Sequence, residues 1–228
     1  MKSNKLIILF LFALNTVFSQ EKIDNTITKV NHNKWSIEIG TGISNGVRPY
    51  TDGYFSSNNN KLFNDFKVNS FTLGARYNFS EIIGLKMDIS FDRFTNSKDS
   101  RSTPFEVAQY RTSIQGVFNL NSLIKPKNES RFNLFFHTGL HLAKLKPIET
   151  NYNTKISNGD NYGGIVFGIT PTVKISKKTS LFVDISSFSN YGQNLTWDGN
   201  HSKVNNNSNG HMISGVFGVS FSLEQKTK

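Results

Sequence analysis

The chain has no cysteine, which excludes a disulfide framework, a thiolate metal site and a lipid-anchoring thiol. Proline is scarce, 5 in 228 residues, so almost every backbone N–H is available to a hydrogen-bonded ladder. Long hydrophobic runs are missing too. The longest, LIILFLFAL at Leu6–Leu14, falls far short of the roughly 20 apolar residues that a membrane-spanning helix needs. Acidic groups are outnumbered, 16 Asp and Glu against 26 Lys and Arg for a formal charge of +10. That balance suits a membrane surface or nucleic acid, so where the cations lie matters more than their number. An apolar fraction of 36% with a mean hydropathy of −0.37 excludes no soluble fold.

What is present starts with an export signal. Lys2 and Lys5 precede the apolar run, and Val17-Phe18-Ser19 follows it as a small-residue cleavage site, so residues 1–19 read as a secretory signal peptide cut after Ser19. Its removal takes two lysines and leaves +8.

From residue 34 onward the pattern has period 2. In WSIEIGTGIS, Trp35, Ile37, Ile39, Thr41 and Ile43 share one face, and Ser36, Glu38, Gly40, Gly42 and Ser44 share the other, which is the signature of a strand. The same alternation recurs in FTLGARYNF (71–79), IGLKMDISF (83–91), YRTSIQGVFNL (110–120), FNLFFHTGLHL (132–142), GIVFGITPTVKI (164–175), SLFVDISS (180–187) and MISGVFGVSFSL (212–223). Eight strands are expected. Pro171, on the apolar face of the sixth, marks an edge or a bulge.

The connections alternate in length, with long ones near 46–68, 94–107, 143–161 and 189–210 and shorter ones near 80–82, 121–130 and 176–179. The long ones are rich in Asn, Ser, Gly and Thr, too polar to build a second core. A soluble sandwich or barrel would show no such parity and would carry Lys, Glu and Thr on its outer face. Here the polar face is mainly Gly, Ser, Thr and Asn, small groups suited to a crowded interior. Aromatics gather toward strand ends, at Trp35, Phe79, Phe132 and Phe221 and at the other rim Phe94 and Phe188, as membrane-interface girdles do. A sheet in lipid must close on itself to leave no unpaired edge. The expected fold is therefore all-β, an eight-stranded antiparallel up-and-down transmembrane β-barrel.

With an export signal, eight amphipathic strands, four polar loops and a last strand ending Gly218-Val219-Ser220-Phe221-Ser222-Leu223, the chain resembles the small OmpA/OmpX-type outer-membrane β-barrel proteins of Gram-negative bacteria. In that family a terminal aromatic carries the assembly signal. Here Leu223 stands in its place and the tail EQKTK follows. The resemblance implies a signal peptide at 1–19, a short periplasmic segment at 20–33, a barrel at 34–223 and a tail at 224–228. It implies residence in the cell outer membrane, with outer-membrane lipid as the surroundings and envelope proteins as partners through the loops or the periplasmic rim. It does not fix the oligomeric state.

If the apolar face meets lipid, the inward residues include Glu38, Arg76, Lys86, Asp88, Asp92, Arg111, Gln115, His137, His141, Lys174 and Asp184. Glu38 with Arg76, and Asp92 with Arg111, sit on neighbouring strands where they can pair. An eight-stranded barrel is just wide enough to be filled by its own side chains, so Glu38, Arg76, Lys86, Asp88, Asp92, Arg111 and Asp184 are expected to form a polar network closing the lumen. The competing reading is a narrow porin-like passage for small solutes, and at fold level a soluble lipocalin-like carrier.

No enzyme, cofactor or metal is expected. His137 and His141 stand about 13 Å apart on a strand and cannot share one ion. His211 and Ser214, three apart, point to opposite faces. Gly163-Gly164 and Gly40-Thr41-Gly42 lie within strands rather than in a phosphate loop. Lys34, Lys125, Lys127, Arg131, Lys174, Lys177, Lys178, Lys226 and Lys228 collect at one rim while the long loops stay near neutral, which argues for headgroups or envelope polymer and against nucleic acid. The expected role is structural, adhesive or envelope-assembly, with an open link to secretion. Candidate contacts on the long loops are Tyr50, Tyr54, Phe55, Tyr152, Tyr191 and Trp197, which either anchor partners or pack together to shape the loops.

Overall fold

The computed structural model describes residues 35–51, 68–96, 104–124, 130–150, 159–201 and 209–223. Eight antiparallel strands close in sequence order: β1 (Trp35–Arg48), β2 (Ser70–Asn78), β3 (Ile83–Thr95), β4 (Phe105–Asn119), β5 (Phe132–Thr150), β6 (Asp160–Lys174), β7 (Thr179–Tyr191) and β8 (Gly210–Leu223). β1 and β8 seal the barrel from Trp35 opposite Leu223 to Arg48 opposite His211. The first strand therefore starts and the last one ends at the same rim, here the terminal rim; the opposite one is the loop rim. One short helix, α1 (Leu120–Ile124), follows β4.

The alternation in the sequence decides which face goes where. Ile37, Leu73 and Phe167 are 38, 39 and 47% exposed on the outer wall, whereas Arg76 and Asp88 are 8 and 7% exposed inside. The outer band is a continuous apolar surface of Ile39, Met87, Ile89, Ile114, Leu140, Ile169, Ile185 and Phe217. Near the terminal rim it carries Trp35, Tyr77 and Phe79 in a chain of ring contacts. Every backbone group in such a wall must find its partner in the ladder, which closure provides.

The two prolines in strands are accommodated differently. β6 pairs with β5 without a break through Pro171 opposite Leu134, but its pairing with β7 passes from Ile169–Ile185 to Thr172–Phe182. The ladder thus lapses on one side only, where proline has no N–H to give. In β5 the register shifts between Glu106 and Val107 of β4, so that Pro147 lies beside an extra residue, Ile148. This is a bulge, the usual place for a strand proline.

Three sequence expectations need correction. The strands run further toward the loop rim than the alternation indicated: β4 begins at Phe105 and β5 continues to Thr150. The connections 96–104 and 151–159 shrink accordingly, and 120–131, with its helix, is not shorter than either, so the length parity is weaker than it looked. Phe94 and Phe188 are not girdle residues but point inward and are buried; Phe91 and Tyr110, in ring contact on the outer wall, take that position.

The cause lies in the upper part of the strands, where the pattern reverses. In β5, Lys144 and Lys146 face outward while Ala143 and Leu145 are buried inside. Phe94, Phe105, Val107, Tyr162, Phe188 and Met212 join them in one apolar cluster within the loop-end lumen. Outside, Arg93 pairs with Glu106 at 2.6 Å. Above the apolar band the barrel is built like a soluble one.

Candidate functional site

The lumen is filled at two levels. Toward the terminal rim, Glu38 on β1 is bridged by Arg76 on β2 and by Lys86 on β3, both at 3.2 Å. The Glu38–Arg76 pair is diagonal, since Ser36 is the residue directly opposite Arg76, and the guanidinium lies 4.5 Å above the Phe135 ring. Lys86 reaches across the lumen to Asp184 on β7 at 3.5 Å. Asp184 also accepts from Thr170 at 2.9 Å and from the Ser186 hydroxyl, and His137 Nε2 lies 3.2 Å from it.

Asp88 takes a different set of partners. Ser113 and Gln115 donate to its carboxylate at 2.8 and 2.7 Å. The Gln115 amide oxygen then faces His137 Nδ1 at 2.6 Å. A flipped amide would turn this oxygen toward the Asp88 carboxylate, so the orientation is fixed by charge. His137 thus lies between the Asp88 group and the Asp184 group, and close contacts span the lower lumen from β1 to β7, although His137 Nε2, Arg76 Nε and Ser36 Oγ make no hydrogen bond of normal geometry. Buried ions persist when paired, and Glu38, Arg76, Lys86 and Asp184 each have an opposite charge within 3.5 Å.

Further up, Arg111 on β4 pairs with Asp92 on β3 at 3.1 Å, and Ser70 donates to the same carboxylate at 2.6 Å. The Arg111 guanidinium stacks 4.0 Å above Phe188 and approaches Met212 Sδ at 3.6 Å. This pair forms the floor of the apolar cluster. His141 bonds to Asn190 at 2.9 Å, Asn190 donates to Gln193 at 2.8 Å, and Gln193 donates to the Leu195 carbonyl at 2.8 Å.

That chain of amides leads into a plug made by residues 192–201. Trp197 and Leu195 are fully buried in the mouth, and Trp197 meets Phe94 with ring centroids 4.9 Å apart. The segment turns tightly, with Gly199 at φ +85° donating to the Thr196 carbonyl at 2.9 Å, a conformation that suits glycine. It is pinned from three sides. Asp160 accepts from the Asn194 and Leu195 amides at 2.5 and 2.9 Å. Thr51 N–H donates to Asp198 at 2.9 Å, and Trp197 Nε1 donates to the Arg48 carbonyl at 2.8 Å. Beneath the indole lies Gly46, where a Cβ would collide with the Trp197 ring.

The sequence-expected residues divide as follows. Glu38, Arg76, Lys86, Asp88 and Asp184 come together in the lower network, with His137, Gln115, Ser113 and Thr170 as members that the ionic residues alone did not announce. Asp92 and Arg111 form the separate upper pair. Lys174 leaves the lumen and is exposed at the terminal rim with Arg131, Lys177 and Lys178. Trp197 is corrected outright: it is a buried plug residue, not an exposed loop contact. Tyr50 is half-buried beside Phe105, with ring centroids 6.5 Å apart. Tyr191 is exposed on the outer wall. Tyr54, Phe55 and Tyr152 lie outside the described residues, as do residues 1–19, expected to be a signal peptide, residues 224–228, Lys34, Lys125, Lys127, Lys226 and Lys228.

Among the described residues the lumen holds no open chemical site. His137 and His141 bond to different partners. Ser214 points inward to Ser44 at 3.0 Å, while His211 lies on the other face near Ser187 at 3.4 Å. Among the described residues no group of three or more metal-ligating side chains converges.

No protein-family profile matches the chain, and no curated protein matches it. Solved structures do. The outer membrane protein AlkL, determined by solid-state NMR in lipid bilayers, is 10% identical and aligns over 92% of this chain and 99% of its own, with a TM-score of 0.51. The chain has the fold of the small OmpA/OmpX-type outer-membrane barrels. Neisserial surface protein A is also similar, at 12% identity, 84% and 98% coverage and a TM-score of 0.46. So is the attachment invasion locus protein of Yersinia pestis, at 18% identity, 82% and 97% coverage and a TM-score of 0.44.

Proposed function

We propose that the protein is an integral outer-membrane barrel with a non-conducting, structural or adhesive role, holding its loop end outside the cell as a contact surface for envelope or extracellular partners. The observation that carries this reading is the double closure of the lumen. The ionic network bridges β1 to β7, and the Trp197 plug fills the mouth above it. A solute path would require both to open, breaking buried ion pairs whose lone partners cost several kcal/mol. The same reading leaves the protein without enzymatic activity. The loop rim then provides the interaction surface, since binding residues sit on loops held by a rigid scaffold.

Two measurements test it. Fractionation should place the full chain with outer-membrane material, released by detergent and not by buffer, with heat-modifiable gel mobility. Purified barrel in a planar bilayer should be silent. Discrete openings would instead favour a narrow passage, and release by buffer alone would remove the membrane assignment.

A further inference from the structure

The outer wall is not uniformly convex. A groove of about 1020 Å³ crosses it from Phe71 and Leu73 on β2 to Tyr191 at the end of β7. Its course follows from the register. Phe71, Phe91, Tyr110, Lys144 and Asn161 are directly opposite one another on β2 through β6. The adjacent row is Leu73, Ile89, Thr112, Leu142, Gly163 and Tyr191. Thr112 and Gly163 are the small residues in that second row, and they form the hollow on either side of Leu142.

Strands of a closed barrel tilt by roughly 35–45°, so a row of paired residues climbs the wall as it goes round. The three strand-to-strand steps from Leu73 on β2 to Leu142 on β5 cover roughly 14 Å and climb roughly 9 Å at that tilt. The two further residues along β5 to Lys144 add roughly 5 Å of height, so the site rises roughly 15 Å, half the hydrocarbon thickness of a bilayer and therefore about one leaflet. The direction of the climb is written in the chemistry. The β2 end is phenylalanine and leucine; the β5–β6 end is Lys144 and Asn161. Lys146, two residues further along the same outer face and about 7 Å away, stands above them. Among the described residues, the side chains of Lys144, Lys146 and Asn161 have no ion-pair or hydrogen-bond partner and are exposed. The neighbouring outer cation Arg93 is by contrast neutralised by Glu106.

We propose that this groove is a binding site for a lipid of the loop-side leaflet that carries an anionic, phosphate-bearing headgroup. The acyl chains lie along Leu73, Ile89, Thr112 and Leu142. The phosphate sits between the Lys144 and Lys146 ammonium groups, with the Asn161 amide as a further donor. The site has the polarity of an amphiphile, apolar at its deep end and cationic where a headgroup would lie, and spans the depth of one leaflet. The inference rests on the membrane reading given above, because it needs the groove wall to face lipid.

Native mass spectrometry of the folded full chain, released from detergent with added phosphatidic acid, phosphatidylcholine of the same acyl length, or inorganic phosphate, tests it. Phosphatidic acid should be retained at least fivefold better than phosphatidylcholine, and inorganic phosphate should not displace it. The double substitution Lys144→Gln with Lys146→Gln should bring the two lipids level. Thr112→Trp, which fills the hollow, should reduce retention of both. Equal retention by the wild-type protein, an unchanged preference in the double variant, or displacement by inorganic phosphate would overturn the site. Heat-modifiable mobility in lipid vesicles is read in parallel on every variant; should one fail to fold, the wild-type lipid comparison and Lys144→Gln alone decide. A barrel that inserts and migrates normally but shows no lipid preference sinks this proposal and leaves the membrane reading standing. One that does not insert sinks both.

Discussion

The lower and upper halves of the barrel are made from the same strands, yet they obey opposite rules. In the lower half of β3, Met87 and Ile89 face outward and Lys86 and Asp88 face in; further along that strand Arg93 faces outward and Phe94 is buried. β5 makes the same exchange between Leu142, which is exposed, and Leu145, which is buried. A period-2 ribbon has only two faces, and apolar groups go wherever water is not. On the membrane reading, the point of inversion therefore marks where the surroundings of the wall change from lipid to water. The two halves also close the lumen by different means, ion pairs with geometric hydrogen bonding below and close packing of aromatic and aliphatic groups above.

The largest effect should come from the lower half. Lys86 holds two carboxylates, Glu38 and Asp184, at once, so Lys86→Met leaves both buried with one counterion fewer. Loss of one partner of a buried pair costs about 4 kcal/mol, and urea unfolding of the barrel in lipid vesicles should give an unfolding free energy lower by about that amount. Removing the upper closure should cost less. Trp197→Ala empties the centre of the plug and should destabilise by about 3 kcal/mol. It should leave the planar bilayer silent, because the ionic network below is untouched. Conductance in Trp197→Ala but not in the wild type would show that the plug alone closes the lumen.

How much of this was legible in the sequence follows the same division. Wherever the outer face is apolar the alternation announced strand, face and register sense, so Ile37 and Glu38, or Met87 and Asp88, were assigned correctly to wall and lumen. The pairs Glu38–Arg76 and Asp92–Arg111 were legible as well, because each joins neighbouring strands. The links of Lys86 to β1 and β7 were not. They cross the lumen, and which strands face each other there depends on the curvature of the closed sheet, which no local pattern records. The upper strand ends were missed for a related reason: Lys144 and Lys146 on the outer face of β5 read as the start of a polar loop, when they are the outside of a strand that has left the lipid. On the sequence alone Trp197 reads as a loop aromatic that either anchors a partner or packs to shape the loop. Its signal was the Trp197-Asp198-Gly199 turn, and what buries it is Gly46 on a strand far away in sequence.

The boundary itself can be tested with charge on the outer wall. Ile89 lies within the apolar band and is exposed on it. Ile89→Arg would place a guanidinium against hydrocarbon and should cost at least about 2 kcal/mol in vesicles, since a cation near the bilayer centre costs roughly 2–4 kcal/mol and close to nothing at the interface. In detergent micelles, where the side chain can reach water, the penalty should shrink.

The smallest effect is the reciprocal substitution above the inversion. Lys146 is exposed on the outer face of β5, between Leu145, which is buried in the apolar cluster, and Pro147. If water lies outside at this level, Lys146→Leu in vesicles of phosphatidylcholine alone, with no anionic headgroup to lose, should change stability by less than about 0.5 kcal/mol, as surface substitutions do. If lipid reached this far, the same change would remove a cation from hydrocarbon and stabilise the barrel in vesicles by about 1 kcal/mol or more. The sign and size of that shift, compared with Ile89→Arg in the same vesicles, fix where along the strands the wall leaves the membrane, and with it which of the two packing rules governs each residue.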